Sequence, residues 1–304
     1  MGSWLQRASM PTPRHDLQTV AVDGKIYAIS GAGYLTVDAV EIYEVGTDPW
    51  TQGPPIPTKR GWSGADLLGN KIYVAGGKTI RTPEEKQSSG DDTHFEIRDV
   101  LEVLDLESQT WSALEPLSEP RAGVSVTACD GKIYALGGNN FIHQLNAVEM
   151  YDPESGHWEL GPALPFSVQM PGTATVDGKI YSIGGHSQEI EGGSFRAEMF
   201  VLDPAAGKWE ELEPMPSARE SMGIAVLDGK IYAMGGKGID YSAATEVYDI
   251  EAGTWSSNTP LPAKCAWLDA AVVDGRIFAM GGAYKLSEEK PVYKWFDEVY
   301  EFVL

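Results

Sequence analysis

The stretch DGKIYALGGNN, residues 130–140, couples an Asp-Gly turn to an apolar strand that stops at paired glycines. Asp-Gly tolerates the left-handed backbone that a two-residue hairpin requires, so the stretch reads as the second half of a β-hairpin. Nearly the same phrase returns as Asp23-Gly24-Lys25-Ile26-Tyr27, Gly69-Asn70-Lys71-Ile72-Tyr73, residues 177–181, residues 228–232 and Asp274-Gly275-Arg276-Ile277-Phe278. The average spacing of about 50 residues is the period of propeller blades.

Each unit opens with a Val/Ala-rich strand such as residues 19–22, turns, and runs to glycine pairs at 76/77, 137/138, 184/185, 235/236 and 281/282; the first unit carries Ser30-Gly31 instead. About 10 to 25 residues later an alternating run such as Ala147-Val148-Glu149-Met150-Tyr151 predicts a third strand, followed by a turn and a fourth strand headed by Trp158. The second strand is apolar almost throughout, as in Ile133-Tyr134-Ala135-Leu136, so both faces of its sheet must be covered, which radial stacking of neighbouring sheets achieves.

A Gly-Gly after an apolar strand, a Tyr within that strand and a Trp in the fourth, repeated in register along the whole chain, resemble the Kelch repeat. The resemblance implies an all-β fold: a six-bladed β-propeller of four antiparallel strands per blade, forming one domain over residues 1–304. Trp4 heads a fourth strand with no Ile-Tyr strand before it, and the last unit stops after its third strand at residues 297–302. The N-terminal strand is therefore expected to complete blade six and close the ring.

Composition excludes several classes. With 42% apolar and 22% charged residues, 34 Gly and 19 Pro, the 304 residues read as a turn-rich globular protein. A net charge of −21 and a pI near 4.5 repel phosphate backbones and anionic lipid, so neither nucleic acid nor membrane is expected as a partner, and a basic or neutral ligand suits the charge better than an acidic one. Cys129 and Cys265 occupy non-equivalent positions and are expected as free thiols. No leader or bilayer-length apolar run is visible, and the expectation is a soluble, cytoplasmic monomer.

In an antiparallel blade the loop leading into strand one and the loop between strands two and three share a rim. The lead-in position holds Arg14, Arg60, Arg121, Val168, Arg219 and Cys265. These arginines read either as an anion site or as partners of Glu41, Glu102, Glu149, Glu246 and Glu298 at the start of strand three, where blade four has Phe200; the joint loss of both members in blade four favours the pair. Two residues further stand Asp16, Trp62, Gly123, Met170, Ser221 and Trp267, and just past the glycines Lys78, Asn139, His186, Lys237 and Tyr284. Because these vary while their surroundings repeat, they are the better binding candidates. Trp62 and Trp267 lie outside the repeated Trp set, and blades two and six flank blade one, so both are expected at one mouth. The candidate ligand-binding set is Arg14, Asp16, Arg60, Trp62, Lys78, Asn139, His186, Arg219, Lys237, Trp267 and Tyr284. The long loop at 78–99 reads as a binding loop or lid.

No metal spacing joins the histidines at 15, 94, 143, 157 and 186, although Asp91-Asp92-Thr93-His94 offers a weak cation-loop reading. No nucleophile elbow, Walker loop or dinucleotide fingerprint occurs, and no cofactor or catalytic residue is assigned. Among propellers that the chain resembles, plant specifier proteins carry a Glu-x-x-x-Asp-x-x-x-Cys iron motif that is missing upstream of Cys129. A galactose-oxidase constellation is not found either. Sialic-acid mutarotases are also Kelch propellers, and acid/base work of that kind would draw on Arg14 with Asp16 or Arg219 with Glu220. The reading is a non-enzymatic module binding a protein or peptide on this rim, with a small carbohydrate at the channel mouth as the alternative. The chain contains no BTB or BACK segment, so the ubiquitin-ligase role of Kelch adaptors is not carried over.

Overall fold

The computed structural model describes residues 2–47, 50–85, 94–189, 193–287 and 292–303. Six four-stranded antiparallel sheets make up the blades. In blade three the strands are Ser125–Cys129, Lys132–Leu136, Val148–Asp152 and His157–Leu160, in that order across the sheet. Blade six takes three strands from Asp269–Val273, Arg276–Met280 and Val299–Val303, and its fourth is the N-terminal Ser3–Arg7, paired from Ser3 opposite Val303 to Arg7 opposite Val299. The ring closes as the end repeats require.

The core is divided into six apolar layers, each drawn from two neighbouring blades. Between blades two and three, for example, Tyr73, Ala75 and Val103 pack with Val126, Ile133 and Tyr151. This is why the second strand carries no polar alternation: one face looks back and the other forward.

Two hydrogen-bond sets repeat at the junctions. The indole Nε1 of each repeated Trp donates to a backbone carbonyl of the connector leaving the preceding blade: Trp4 to Thr259, Trp50 to Ala8, Trp111 to Pro54, Trp158 to Glu115, Trp209 to Pro162 and Trp255 to Glu213. The N–H of the second glycine of each pair donates to the carbonyl of the lead-in residue of the next blade, from Gly31 to Arg60 around to Gly282 to Arg14, at 2.8–3.0 Å. A Cβ on Gly137 would stand 2.3 Å from the Val168 carbonyl oxygen, so the close approach, together with φ of +62°, demands glycine. Blade one accommodates Ser30 at φ +57° by turning its hydroxyl onto the Arg60 carbonyl.

Deleting residues 2–9 removes the strand that covers Val299–Val303 and the Trp4 bond to Thr259. The deleted protein is expected to lose its single sharp thermal transition or to melt at least about 10 °C lower; an unchanged melting temperature contradicts this closure.

Candidate functional site

The lead-in arginines are buried within the blades. Arg14, Arg60, Arg121 and Arg219 are at most 1% exposed. Each guanidinium meets the strand-three glutamate of its own blade: Arg14 bonds Glu41 at 2.6 Å, Arg60 Glu102, Arg121 Glu149 and Arg219 Glu246. The same guanidinium also caps strand-two carbonyls, as Arg14 Nη2 does on Ala28 at 2.9 Å. A hydroxyl two residues before the arginine completes three of these sites, from Thr12 to Glu41, Thr58 to Glu102 and Ser217 to Glu246. Strand one is thereby tied to strands two and three, and these arginines are spent on the scaffold.

Two alignments change. In blade six, Ala279 pairs with Tyr300, as Ala28 pairs with Glu41 in blade one, so Tyr300 and not Glu298 is the strand-three equivalent. Glu298 bonds Lys294 instead, at 2.7 Å. Blade six, with Cys265 and Tyr300, has therefore lost both members just as blade four has with Val168 and Phe200. Apolar packing replaces the ion pair, an exchange that costs little because a buried pair must first be desolvated. The position just past the blade-six glycines is Ala283, bridged to Ala266 as Lys78 is to Gly61; Tyr284 lies one residue on, 5.2 Å from the Tyr241 ring.

The second position after the lead-in residue is the inner lip of the channel. Asp16, Trp62, Gly123, Met170, Ser221 and Trp267 all have φ between +50° and +64°. Their backbones form a girdle: Asp16 N–H donates to the Trp267 carbonyl, Trp267 to Ser221, Ser221 to Met170, Met170 to Gly123 and Gly123 to Trp62, at 2.8–3.3 Å. A left-handed Trp costs about 1–3 kcal/mol, a strain that the ring imposes at this position in every blade. All six line a funnel of about 560 Å³ whose deeper wall carries Asp66, Asp269 and the hydroxyls of Thr19, Thr127 and Thr175.

The lip has two unlike halves. On blades six, one and two, His15 packs between Trp62 and Trp267, with ring centres at 5.4 and 5.7 Å, and its Nδ1 lies 2.5 Å from Asp16. Lys78 sets its ammonium 3.5 Å over the Trp62 ring. On blades three to five, Asn139 Nδ2 donates to Gln169 Oε1 at 2.7 Å, His186 lies 3.4 Å from Gln144, and Lys237 stands 5.8 Å from the Trp267 ring. Glu220 is buried there, and its Oε2 has no hydrogen-bond partner. Burial pushes its carboxyl up to about 7, against the opposing influence of Gln169 and Lys237, with the Asp16 charge adding to the rise. Burial likewise raises Asp16 and lowers Lys78 and His186.

Of the sequence candidates, Asp16, Trp62, Lys78, Asn139, His186, Lys237 and Trp267 meet at this mouth, whereas Arg14, Arg60 and Arg219 do not reach it. His15, Gln169 and Glu220, one residue after the lead-in position, belong to the mouth as well; the signal was available, since that position reads His15, Gly61, Ala122, Gln169, Glu220 and Ala266. The 91–93 part of the suggested cation loop lies outside the described residues, and among those described no group of three His, Cys, Asp or Glu is placed to hold a metal. Both cysteines are free and buried. No helix among the described residues is long and apolar enough to cross a membrane.

The sequence matches the family described as the KLHDC2/KLHL20/DRC7 Kelch-repeats domain over residues 90–282, more than half of the chain. The chain belongs to the Kelch-repeat family. It is similar to Kelch-like protein 35 of Mus musculus, 25% identical over 260 residues that cover 74% of this chain and 43% of that protein. Kelch-like protein 25 of Xenopus tropicalis is 24% identical over 237 residues, 76% of this chain and 38% of that protein. Kelch-like protein 33 of Homo sapiens is 34% identical over 125 residues, 40% of this chain and 21% of that protein. The chain thus spans less than half the length of these curated relatives. Among solved structures, that of YjhT superimposes with a TM-score of 0.80 over 97% of this chain and 96% of the other at 14% identity, a likeness of fold.

Two substitutions separate scaffold from mouth. Arg219→Ala strands Glu246 without its partner and should cost about 3–5 kcal/mol by denaturant unfolding. Glu220→Gln removes a charge that the folded state disfavours. Because the folded carboxyl titrates near 7 and an unfolded one near about 4.3, wild type loses stability as pH rises through that interval. The Gln variant should match wild type at pH 5 and exceed it by roughly 2–3 kcal/mol at pH 8.5; a gap that does not widen with pH contradicts the assignment.

Proposed function

We propose that this propeller is a non-enzymatic protein-binding module that docks a protein or peptide on the rim formed by the strand 4–1 and strand 2–3 loops. One observation carries the reading. Of the eleven large apolar side chains exposed among the described residues, eight stand on strand 2–3 loops of this rim: Tyr34, Leu35, Phe95, Phe141, Ile142, Ile239, Leu286 and Val292. Folding gives no reason to place them there. Such a concentration around a concave centre is the signature of a protein-docking surface.

The loops that carry them alternate. Blades two, four and six raise two-stranded hairpins, Lys78–Ile80 with Phe95–Ile97, His186–Ser187 with Ser194–Phe195, and Ala283–Lys285 with Tyr293–Trp295. Blades one, three and five make short turns closed by single bridges, Ala32 to Thr36, Asn139 to Gln144 and Lys237 to Tyr241. The third residue after the glycines in those turns is Tyr34, Phe141 and Ile239, so three apolar tips alternate with three hairpins around the mouth. The Kelch-like relatives support an interaction role.

A small carbohydrate at the channel mouth is the second reading. It is favoured by the funnel itself, where Trp62 and Trp267 line the lip and the carboxylates of Asp16, Asp66 and Asp269 line the same wall. The buried arginines weaken it, since none is free to hold a sugar carboxylate.

A photoreactive residue placed at Ile142 or Ile239 should cross-link partner proteins, whereas one at Lys25 on the opposite rim should not. Equal labelling from both rims contradicts the docking surface. A saccharide panel that raises the melting temperature of wild type but not of a Trp62→Ala/Trp267→Ala variant favours the second reading.

A further inference from the structure

The basic residues on this rim divide into two groups. Lys59 pairs with Glu85, Arg98 with Glu96, Arg196 with Glu198, Lys264 with Asp240 and Lys294 with Glu298. Lys78 and Lys237 differ: among the described residues, neither ammonium has a hydrogen bond or an ion pair, and each lies against aromatic rings. Lys78 stands over Trp62 and Phe95, and Lys237 near Trp267 and Tyr241.

The two lysines hold one structural position. Each is the residue after the glycine pair, bridged to the residue after the lead-in position, Lys78 to Gly61 and Lys237 to Glu220. They belong to blades two and five, which face each other across a six-membered ring. Each thus presents unused N–H donors at the inner lip, half desolvated and beside an indole.

The acids nearby are already engaged or held back. Asp16 is bonded to His15, and Glu220 is buried. Among the described residues no carboxylate is bonded to either ammonium: Asp16 acts on Lys78 and Glu220 on Lys237 through space alone, which leaves the N–H donors to an anion from outside the chain. A partly desolvated ammonium gains most from a charge-assisted bond to carboxylate.

We propose that the inner lip binds carboxylate side chains of the docked partner, with Lys78 and Lys237 as the two ammonium ligands and the indoles of Trp62 and Trp267 as walls for the apolar residues beside them. This rests on the protein-docking reading. It also reverses what net charge alone suggests. The charge of −21 belongs to the chain as a whole and is screened within about 10 Å at 0.1 M salt, whereas at contact range the groups at the lip with donors to offer are the two ammoniums. The distant field slows the approach of an acidic segment; the lip holds it once it arrives.

Selection of displayed random twelve-residue peptides on the full chain, with and without Lys78→Met/Lys237→Met, tests this. Methionine keeps an apolar stem against the rings and removes the charge; Lys264→Met serves as the control, and both variants should melt as wild type does. Wild type should enrich peptides with Asp or Glu beside apolar residues. The double variant should bind those peptides at least tenfold more weakly, and the control should not. Enrichment of basic peptides, or acidic peptides that bind both proteins equally, overturns the proposal. If no peptide is selected, the docking reading fails, and titration with the amide of N-acetylglutamate decides the lip separately. Shifts of the Lys78 and Lys237 side-chain resonances that exceed those of Lys264 support the carboxylate site; uniform or absent shifts overturn it.

Discussion

The structure depends on a contact repeated at every blade junction: a glycine N–H donating to the carbonyl of the lead-in residue of the next blade. In five blades that carbonyl approaches a glycine pair with no Cβ in the way, and in blade one it accepts the Ser30 hydroxyl as well; the approach sets both the spacing of the sheets and the place where each lead-in loop turns into its first strand. The Trp indoles repeat the same linkage on the outer side of each blade. A hydrogen bond of either kind is worth only about 0.5–1.5 kcal/mol, but closure makes all the junctions mutually dependent.

Once the lead-in carbonyl is held, the next two residues have little freedom. The second is driven into the left-handed region in every blade, whatever its side chain, and its backbone joins the girdle around the channel. The scaffold therefore specifies backbone and leaves side chains open. Six lips of one geometry carry Asp, Trp, Gly, Met, Ser and Trp, and a mouth with an aromatic half and an amide–acid half results. The arginine–glutamate pairs lie just beneath and keep strands one to three in register where the lip is strained.

The mouth also concentrates groups that water would otherwise stabilise. Burial raises the Glu220 carboxyl to about 7, and Lys78 and Lys237 lie beside rings with no carboxylate bonded to them among the described residues. Around them the apolar tips of the strand 2–3 loops form a crown. On the opposite rim, Lys132 pairs with Asp152 and Lys230 with Asp249 across neighbouring strands of one blade. Exposed apolar side chains and ammoniums with no bonded carboxylate among the described residues thus coincide on one rim.

The repeat alone determined the architecture: glycine pairs, Ile-Tyr strands and the Trp set are local requirements of a blade, so their count and the displaced Trp4 strand specify six blades and their closure. Sequence equivalence also placed Trp62 and Trp267 at one mouth, because position within a repeat maps directly onto position around a ring. It failed where register depends on pairing across strands. Tyr300, not Glu298, faces Ala279, since pairing and not spacing decides which residues are opposite; that Ala283 and not Tyr284 follows the glycines is legible in the sequence itself. Which arginines are buried, which lysines lack a carboxylate and whether Glu220 is charged were decided only by the tertiary structure, because each depends on the distance and solvation of groups contributed by separate strands and blades.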